Sequence, residues 1–301
     1  VALDCVAMTP AGIHPAACRV EVRARHFVLA GGAIGTPGLL LRSGAPDPHK
    51  LLGKRTFLHP TAVAAALMPH AIDGHAGAPQ TIYSDHFLDS VPVDGPIGFK
   101  LEVPPIHPVL FATTLQGFGQ THTKLMREFA STHALLALLR DGFHPDSPGG
   151  TVQLRADGAP LLDYPITDFV WEGVRRSWLV MAEMQFAAGA KRVYVVHEQC
   201  NGYATMDEAR AGIAALPLKN QLARIVSAHV MGGCGMAAEE KRGVTDSWGR
   251  YRQLDNVTVC DGSLFPTSIG ANPQLSIYGL AARNASRLAE ELSQQPAPAL
   301  A

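Results

Sequence analysis

The 301 residues contain no G-x-G-x-x-G, no G-x-x-x-x-G-K-[ST], no G-x-S-x-G, no C-x-x-C, and no H-x-H or H-E-x-x-H. These absences remove a self-contained dinucleotide fingerprint, a P-loop, a nucleophile elbow, a zinc ribbon or dithiol redox pair, and a helical zinc site. Charge is scarce: 17% of residues are Asp, Glu, Lys or Arg, with a formal net charge of −1. No field of one sign exists to draw in nucleic acid or an anionic membrane, so a small molecule is the expected partner. The five cysteines (5, 18, 200, 234 and 260) are odd in number and far apart. They read as reduced, mostly buried thiols, which favours the cytoplasm.

Two stretches, 103–123 and 262–282, contain no Asp, Glu, Lys or Arg. Their length would admit a membrane helix, but Pro104, Pro105 and Pro108 interrupt the first, and Pro266 and Pro273 the second. They read instead as buried, charge-poor walls around an apolar site, with no transmembrane segment.

What is present is an ordinary globular composition. Hydrophobic residues make up 47%, and the length suggests about two domains. The 29 Gly and 22 Pro are dispersed, as in a chain with many turns. The chain starts at Val1 without the basic and apolar regions of a secretory signal, and its first residues already read as part of a domain.

Residues 21–44 (EVRARHFVLAGGAIGTPGLLLRSG) run from strand-like Phe27, Val28 and Leu29 through Gly31-Gly32 into a helix. Thr36 is the expected N-cap, Pro37 the first helical residue and Gly44 the stop. This is the strand, glycine turn and helix in which backbone N–H groups can approach a nucleotide. Residues 59–163 change character, rich in His, Pro and Thr, with a helix expected over 123–139 and a hairpin about Asp157-Gly158. An amphipathic helix follows over 168–188, then a strand over 192–196, and α/β patterning returns with a strand at 256–260 and a helix over 273–292.

Three segments carry chemistry. In 227–236 (SAHVMGGCGM), His229 sits in an uncharged glycine-rich loop, where a desolvated, neutral imidazole suits a general base; the same pattern suits a hydrogen-bonded core histidine. In 257–262 (VTVCDG), Asp261-Gly262 ends a strand, where α/β sheets bind ligands, or simply makes a turn. In 270–275 (GANPQL), Asn272 is a strong N-cap type before Pro273 and Gln274. The helix start could stabilise negative charge on a ligand or be a plain cap.

The order of these segments resembles the glucose–methanol–choline (GMC) family of flavin oxidoreductases. Residues 32–44 (GAIGTPGLLLRSG) are similar to that family's second signature, and 244–266, through Asp261-Gly262-Ser263-Leu264-Phe265-Pro266, to its C-terminal block. The resemblance implies an α/β fold, α+β overall: a partial FAD-binding Rossmann-like domain with an inserted, mainly β substrate-binding domain. It implies FAD as cofactor, with His229 taking the hydroxyl proton of an alcohol as hydride passes to flavin N5, giving an aldehyde or ketone; no metal is expected, since no H-x-H or H-E-x-x-H pattern occurs. Asn272 matches the second catalytic position, in its Asn form closer to cholesterol oxidase and long-chain alcohol oxidase branches. Asp261, Gly262, Asn272, Pro273 and Gln274 match flavin contacts, and Ala30 and Gly31 the turn beside the adenosine half. The expected organisation is 1–58 and 226–293 in the FAD-binding domain, 59–225 in the substrate-binding domain and 294–301 as a tail. The family's glycine fingerprint would precede Val1. The expected partners are an apolar alcohol and oxygen, a quinone or a cytochrome as acceptor. The alternative is a non-catalytic fragment or partner subunit without its own FAD-binding motif.

Overall fold

A computed structural model describes residues 1–78, 80–115 and 117–296. The chain opens with a hairpin, β1 (Leu3–Met8) and β2 (Pro15–Val22), then β3 (Phe27–Leu29), α1 (Gly32–Arg42), β4 (Lys54–Phe57) and β5 (Thr61–Leu67). An excursion follows: β6 (Tyr83–Ser84), α2 (His86–Asp89), β7 (Phe99–Glu102), α3 (Pro108–Thr114) and α4 (Gln120–Arg127). The chain returns through β8 (Thr132–Leu139), the hairpin β9 (Gly150–Leu154) and β10 (Pro160–Asp163), α5 (Asp168–Ala187), β11 (Arg192–Val195) and α6 (Met206–Ala215). It closes with β12 (Met231–Gly232), β13 (Val257–Val259) and α7 (Gln274–Ser293). The fold is mixed α/β, as expected.

The largest sheet is antiparallel in the order β11-β5-β8-β7-β6. Helix α5 lies across it because Val170, Val174, Trp178 and Met181 recur at helical spacing, and all four are essentially inaccessible. Small residues on β5 (Ala62, Ala64 and Ala66) admit the helix closely. A Cβ on Gly173 would lie 2.1 Å from Ile97 Cγ2, so only glycine fits there. The Trp178 indole donates to the Val63 carbonyl at 3.1 Å, so the largest buried ring keeps no unpaired N–H.

A second antiparallel sheet, β10-β9-β4-β12, draws strands from all three segments of the sequence. Beside it β3 and β13 pair in parallel, Phe27 with Val257 and Leu29 with Val259, and their side chains share a small core with Leu40, Cys234, Val244, Tyr251 and Leu264.

Three local expectations are overturned. Residues 132–139 form β8, not the end of a helix: THALLALL fits either period, and pairing with β5 on one side and β7 on the other decides it. Helix α1 starts at Gly32, with Thr36 and Pro37 inside it, because the backbone turns at Gly31-Gly32 and the Thr36 hydroxyl is directed to Asp261 instead of capping. The charge-free stretch 103–123 is not a buried wall: Val109, Leu110 and Phe118 are exposed at 65%, 60% and 90%. Of the cysteines, all free, Cys200 and Cys234 are buried while Cys18 is exposed.

Candidate active site

The loop before β12 carries His229. Pairing of Met231 and Gly232 with Phe57 and Thr56 of β4 brings the loop against the β4–β5 junction. The Ser227 hydroxyl donates to the Leu58 carbonyl, and the His229 N–H reaches Ser227 Oγ at 3.4 Å. The imidazole is half-buried and stacks on His59, with ring centroids 5.2 Å apart and the two Nδ1 atoms at 3.1 Å. Burial foremost pushes the His229 pKa below the usual histidine value; the Glu102 carboxylate pulls it up and the Lys100 ammonium pushes it down. His59 is fully buried and held lower still, at about 3, by burial and then by the charges of His229 and Lys100. Beneath it, Asp141 accepts from the N–H groups of Leu58 (3.1 Å) and His59 (3.2 Å) and from the Tyr164 hydroxyl (2.7 Å). Burial raises the Asp141 carboxyl to about 6, against those hydrogen bonds.

Asn272 is joined to this site through β7. Its Oδ1 accepts from Lys100 Nζ at 3.2 Å and its Nδ2 donates to Glu102 Oε2 at 3.3 Å. Lys100 and Glu102 pair at 3.4 Å, Asp85 lies 3.8 Å from Lys100, and the ammonium sits 4.1 Å from the Tyr83 ring centre. Gln80 Nε2 adds a bond to Glu102 Oε2 at 3.2 Å. The expected N-cap role of Asn272 is therefore corrected. Helix α7 is preceded by Pro273, with no side-chain cap, because the Asn272 amide is drawn sideways to Lys100 and Glu102. The N–H groups of the first turn of α7 keep no side-chain partner there, beside exposed Gln274 and Leu275.

Asp261 ties β13 to α1. Its Oδ2 accepts from the Gly32 N–H (2.9 Å) and the Thr36 hydroxyl (2.5 Å), its Oδ1 from the Ser263 N–H (2.8 Å) and hydroxyl (2.5 Å). Ala30 and Gly31 are exposed at the turn; a Cβ on Gly31 would press within 3.1 Å of the Thr36 nitrogen, a tight contact. Gly262 connects the two groups of residues: a Cβ there would lie 3.2 Å from Ile277 Cδ1 of α7 and 3.4 Å from the Val230 carbonyl oxygen of the histidine loop.

The structure thus holds Asn272 on Lys100 and Glu102, whose charges act on His229, and ties Asp261 to the start of α1; Gly262 packs between the histidine loop and α7, and Pro273 and Gln274 stand at the start of α7. Sequence reading missed His59, Lys100 and Glu102. The one available signal was the alternation Phe99-Lys100-Leu101-Glu102, which places two charges on one face of a strand whose other face is core. His59 carried none.

Two family models described as GMC oxidoreductase match residues 3–61 and 145–281. An uncharacterized GMC-type oxidoreductase of Sinorhizobium fredii is 26% identical over 96% of this chain and 53% of its own length. The long-chain-alcohol oxidase FAO1 of Arabidopsis thaliana is 25% identical over 97% of this chain and 39% of its own. Among solved structures, a formate oxidase of Aspergillus oryzae superposes with a TM-score of 0.64 at 15% identity, covering 95% of this chain and 57% of that one. The chain spans about half, or less, of the length of these curated relatives. With both models placed in their expected order and this fold shared, the chain belongs to the GMC oxidoreductase family.

Proposed function

We propose that this chain is part of an FAD-dependent enzyme that oxidises the CH–OH group of an alcohol to an aldehyde or ketone. The observation that carries the reading is that Asn272 is held by the ion pair of Lys100 with Glu102, whose charges also act on the half-buried His229 imidazole. Burial keeps the His229 imidazole neutral at neutral pH, so that it can accept the hydroxyl proton. Asn272 has Oδ1 bound by Lys100 and one N–H held by Glu102, which leaves its second N–H to orient the substrate oxygen. Once His229 holds the proton, Glu102 stabilises the imidazolium.

FAD, when bound, supplies the acceptor for the hydride that leaves the same carbon. The residues present fit part of its cradle. The start of α7 offers backbone donors without a side-chain cap, and Gly32, at φ 76°, has nothing within 4 Å of where a Cβ would stand. Ala30, Gly31, Gly262, Pro273 and Gln274 would lie along the cofactor, with Asp261 fixing the turn from beneath. Residues 1–58 and 226–293 would then face the cofactor and 59–225 the substrate, an apolar alcohol as the names of the long-chain-alcohol oxidase relatives suggest. Oxygen, a quinone or a cytochrome would accept the electrons afterwards. The test is anaerobic flavin bleaching at 450 nm in the full-length, flavin-loaded enzyme with a panel of alcohols. His229→Ala should slow it by about a hundredfold or more. Bleaching at the unchanged rate would remove the base assignment.

A further inference from the structure

His59 has no task in the reaction as described, yet the fold goes to some lengths to place it. The side chain is fully buried, and its Nε2 has no hydrogen-bond partner among the described residues. Its backbone lies at φ 51°, in the left-handed region that few non-glycine residues enter and that histidine enters more readily than most, and Asp141 clamps the N–H groups of Leu58 and His59 there. A buried polar ring on a strained backbone is costly, and an apolar side chain would fill the space more cheaply. Clamp, backbone and ring stacking share one result: Nδ1 of His59 stands 3.1 Å from Nδ1 of His229.

We propose that His59 is the positioning residue for His229: its Nδ1 accepts the N–H carried on Nδ1 of His229, leaving Nε2 of His229 as the nitrogen that takes the substrate proton. Two nitrogens at this distance share one hydrogen. Were His59 the donor, neutral His229 would carry its own proton on Nε2 and could accept nothing there. With His59 as acceptor, its own proton sits on its Nε2, and the same bond serves both neutral and protonated His229. Burial prevents His59 from taking a second proton, so the pair moves only one. The charged or titratable groups about His229 are His59, Lys100 and Glu102, with Asp85 behind Lys100 and Asp141 beneath His59. The inference rests on His229 being the base.

The test is imidazole ¹⁵N NMR on the histidine-labelled chain, with the His229 signals identified by their loss in His229→Gln. In the wild type, His229 should hold its proton on Nδ1. His59→Asn should preserve this, since its Oδ1 can stand near the lost Nδ1 and Asn tolerates positive φ. His59→Leu and His59→Gln should give mixed tautomers at His229 and, in the flavin-loaded enzyme, lower kcat roughly 10- to 100-fold with KM little changed. If His59→Leu does not fold, the contrast of Gln with Asn decides. An unchanged His229 tautomer in His59→Gln, or a wild-type His229 protonated on Nε2, overturns the proposal. Failure of the base reading looks different: His229→Ala would turn over substrate normally while the dependence of the tautomer on His59 persisted.

Discussion

Replacing Asp261 tests how the two ends of the sequence are joined. The carboxylate is nearly buried and accepts four hydrogen bonds, two from α1 and its turn and two from Ser263. In Asp261→Asn one oxygen can stay with Ser263, but the amide nitrogen then confronts the Gly32 N–H, donor against donor, while the Thr36 hydroxyl can rotate to accept. One charge-assisted bond is lost and the others weaken. Such bonds are worth about 1.5–3 kcal/mol each, and a stranded buried donor costs about 1–3 kcal/mol. Gly32 is half-buried, so water relieves part of this. The expected loss is about 2–4 kcal/mol. Asp261→Ala should cost more, because the hydroxyls of Thr36 and Ser263, 1% and 0% exposed, both lose their acceptor. Urea unfolding followed by tryptophan fluorescence reads the global change, and amide exchange at Gly32 reads the joint locally, independently of whether unfolding is two-state. If Asp261→Asn stays within about 0.5 kcal/mol of wild type and the Gly32 amide exchanges no faster, the carboxylate does not hold the joint.

Other perturbations follow from single contacts. A Cβ on Gly232, at φ 85°, would lie 2.0 Å from the Arg55 carbonyl oxygen, so Gly232→Ala must part β12 from β4; a loss of about 3 kcal/mol or more is expected in thermal or urea melts. Lys100 and Glu102 push His229 in opposite directions, so Lys100→Met should raise the pH at which His229 titrates by NMR and Glu102→Gln should lower it; shifts of the same sign would refute the arrangement. His59, held at about 3, stays neutral in the fold while the unfolded chain protonates below about 6.5, so its contribution to stability is lost as pH falls through that window. Asp141, raised to about 6, acts the other way, since the fold takes up a proton before the unfolded chain does. Between about pH 6 and 4, His59→Asn should therefore gain stability relative to wild type by about 1 kcal/mol per pH unit of acidification, measured by urea titrations across pH.

What could be read in the sequence was whatever local chemistry dictates. The hairpin about Asp157-Gly158, helix α5 with Val170, Val174, Trp178 and Met181 buried at helical spacing, and β13 leading into Asp261-Gly262 each carry their own pattern of turn, period or glycine. His229 and Asn272 were legible for a related reason, since each sits at a glycine- or proline-marked boundary. Their mutual placement was not, because nothing in either segment says what lies opposite.

That information resides in pairing register. Residues 132–139 offer leucines and alanines to either period, and only the neighbours β5 and β7 make them a strand. Once β8 is a strand, β7 is fixed beside it, with Lys100 opposite Leu138 and Glu102 opposite Leu136. Phe99 and Leu101 then enter the core while Lys100 and Glu102 turn to the other face, where Asn272 arrives. A slip of one residue would exchange the two faces, burying the ion pair in the core and presenting Phe99 and Leu101 to Asn272. Reading 132–139 as a helix thus hid Lys100 and Glu102 as well: the two charges that hold the proposed oxygen ligand and act on the proposed base are placed by the strand whose pattern was ambiguous.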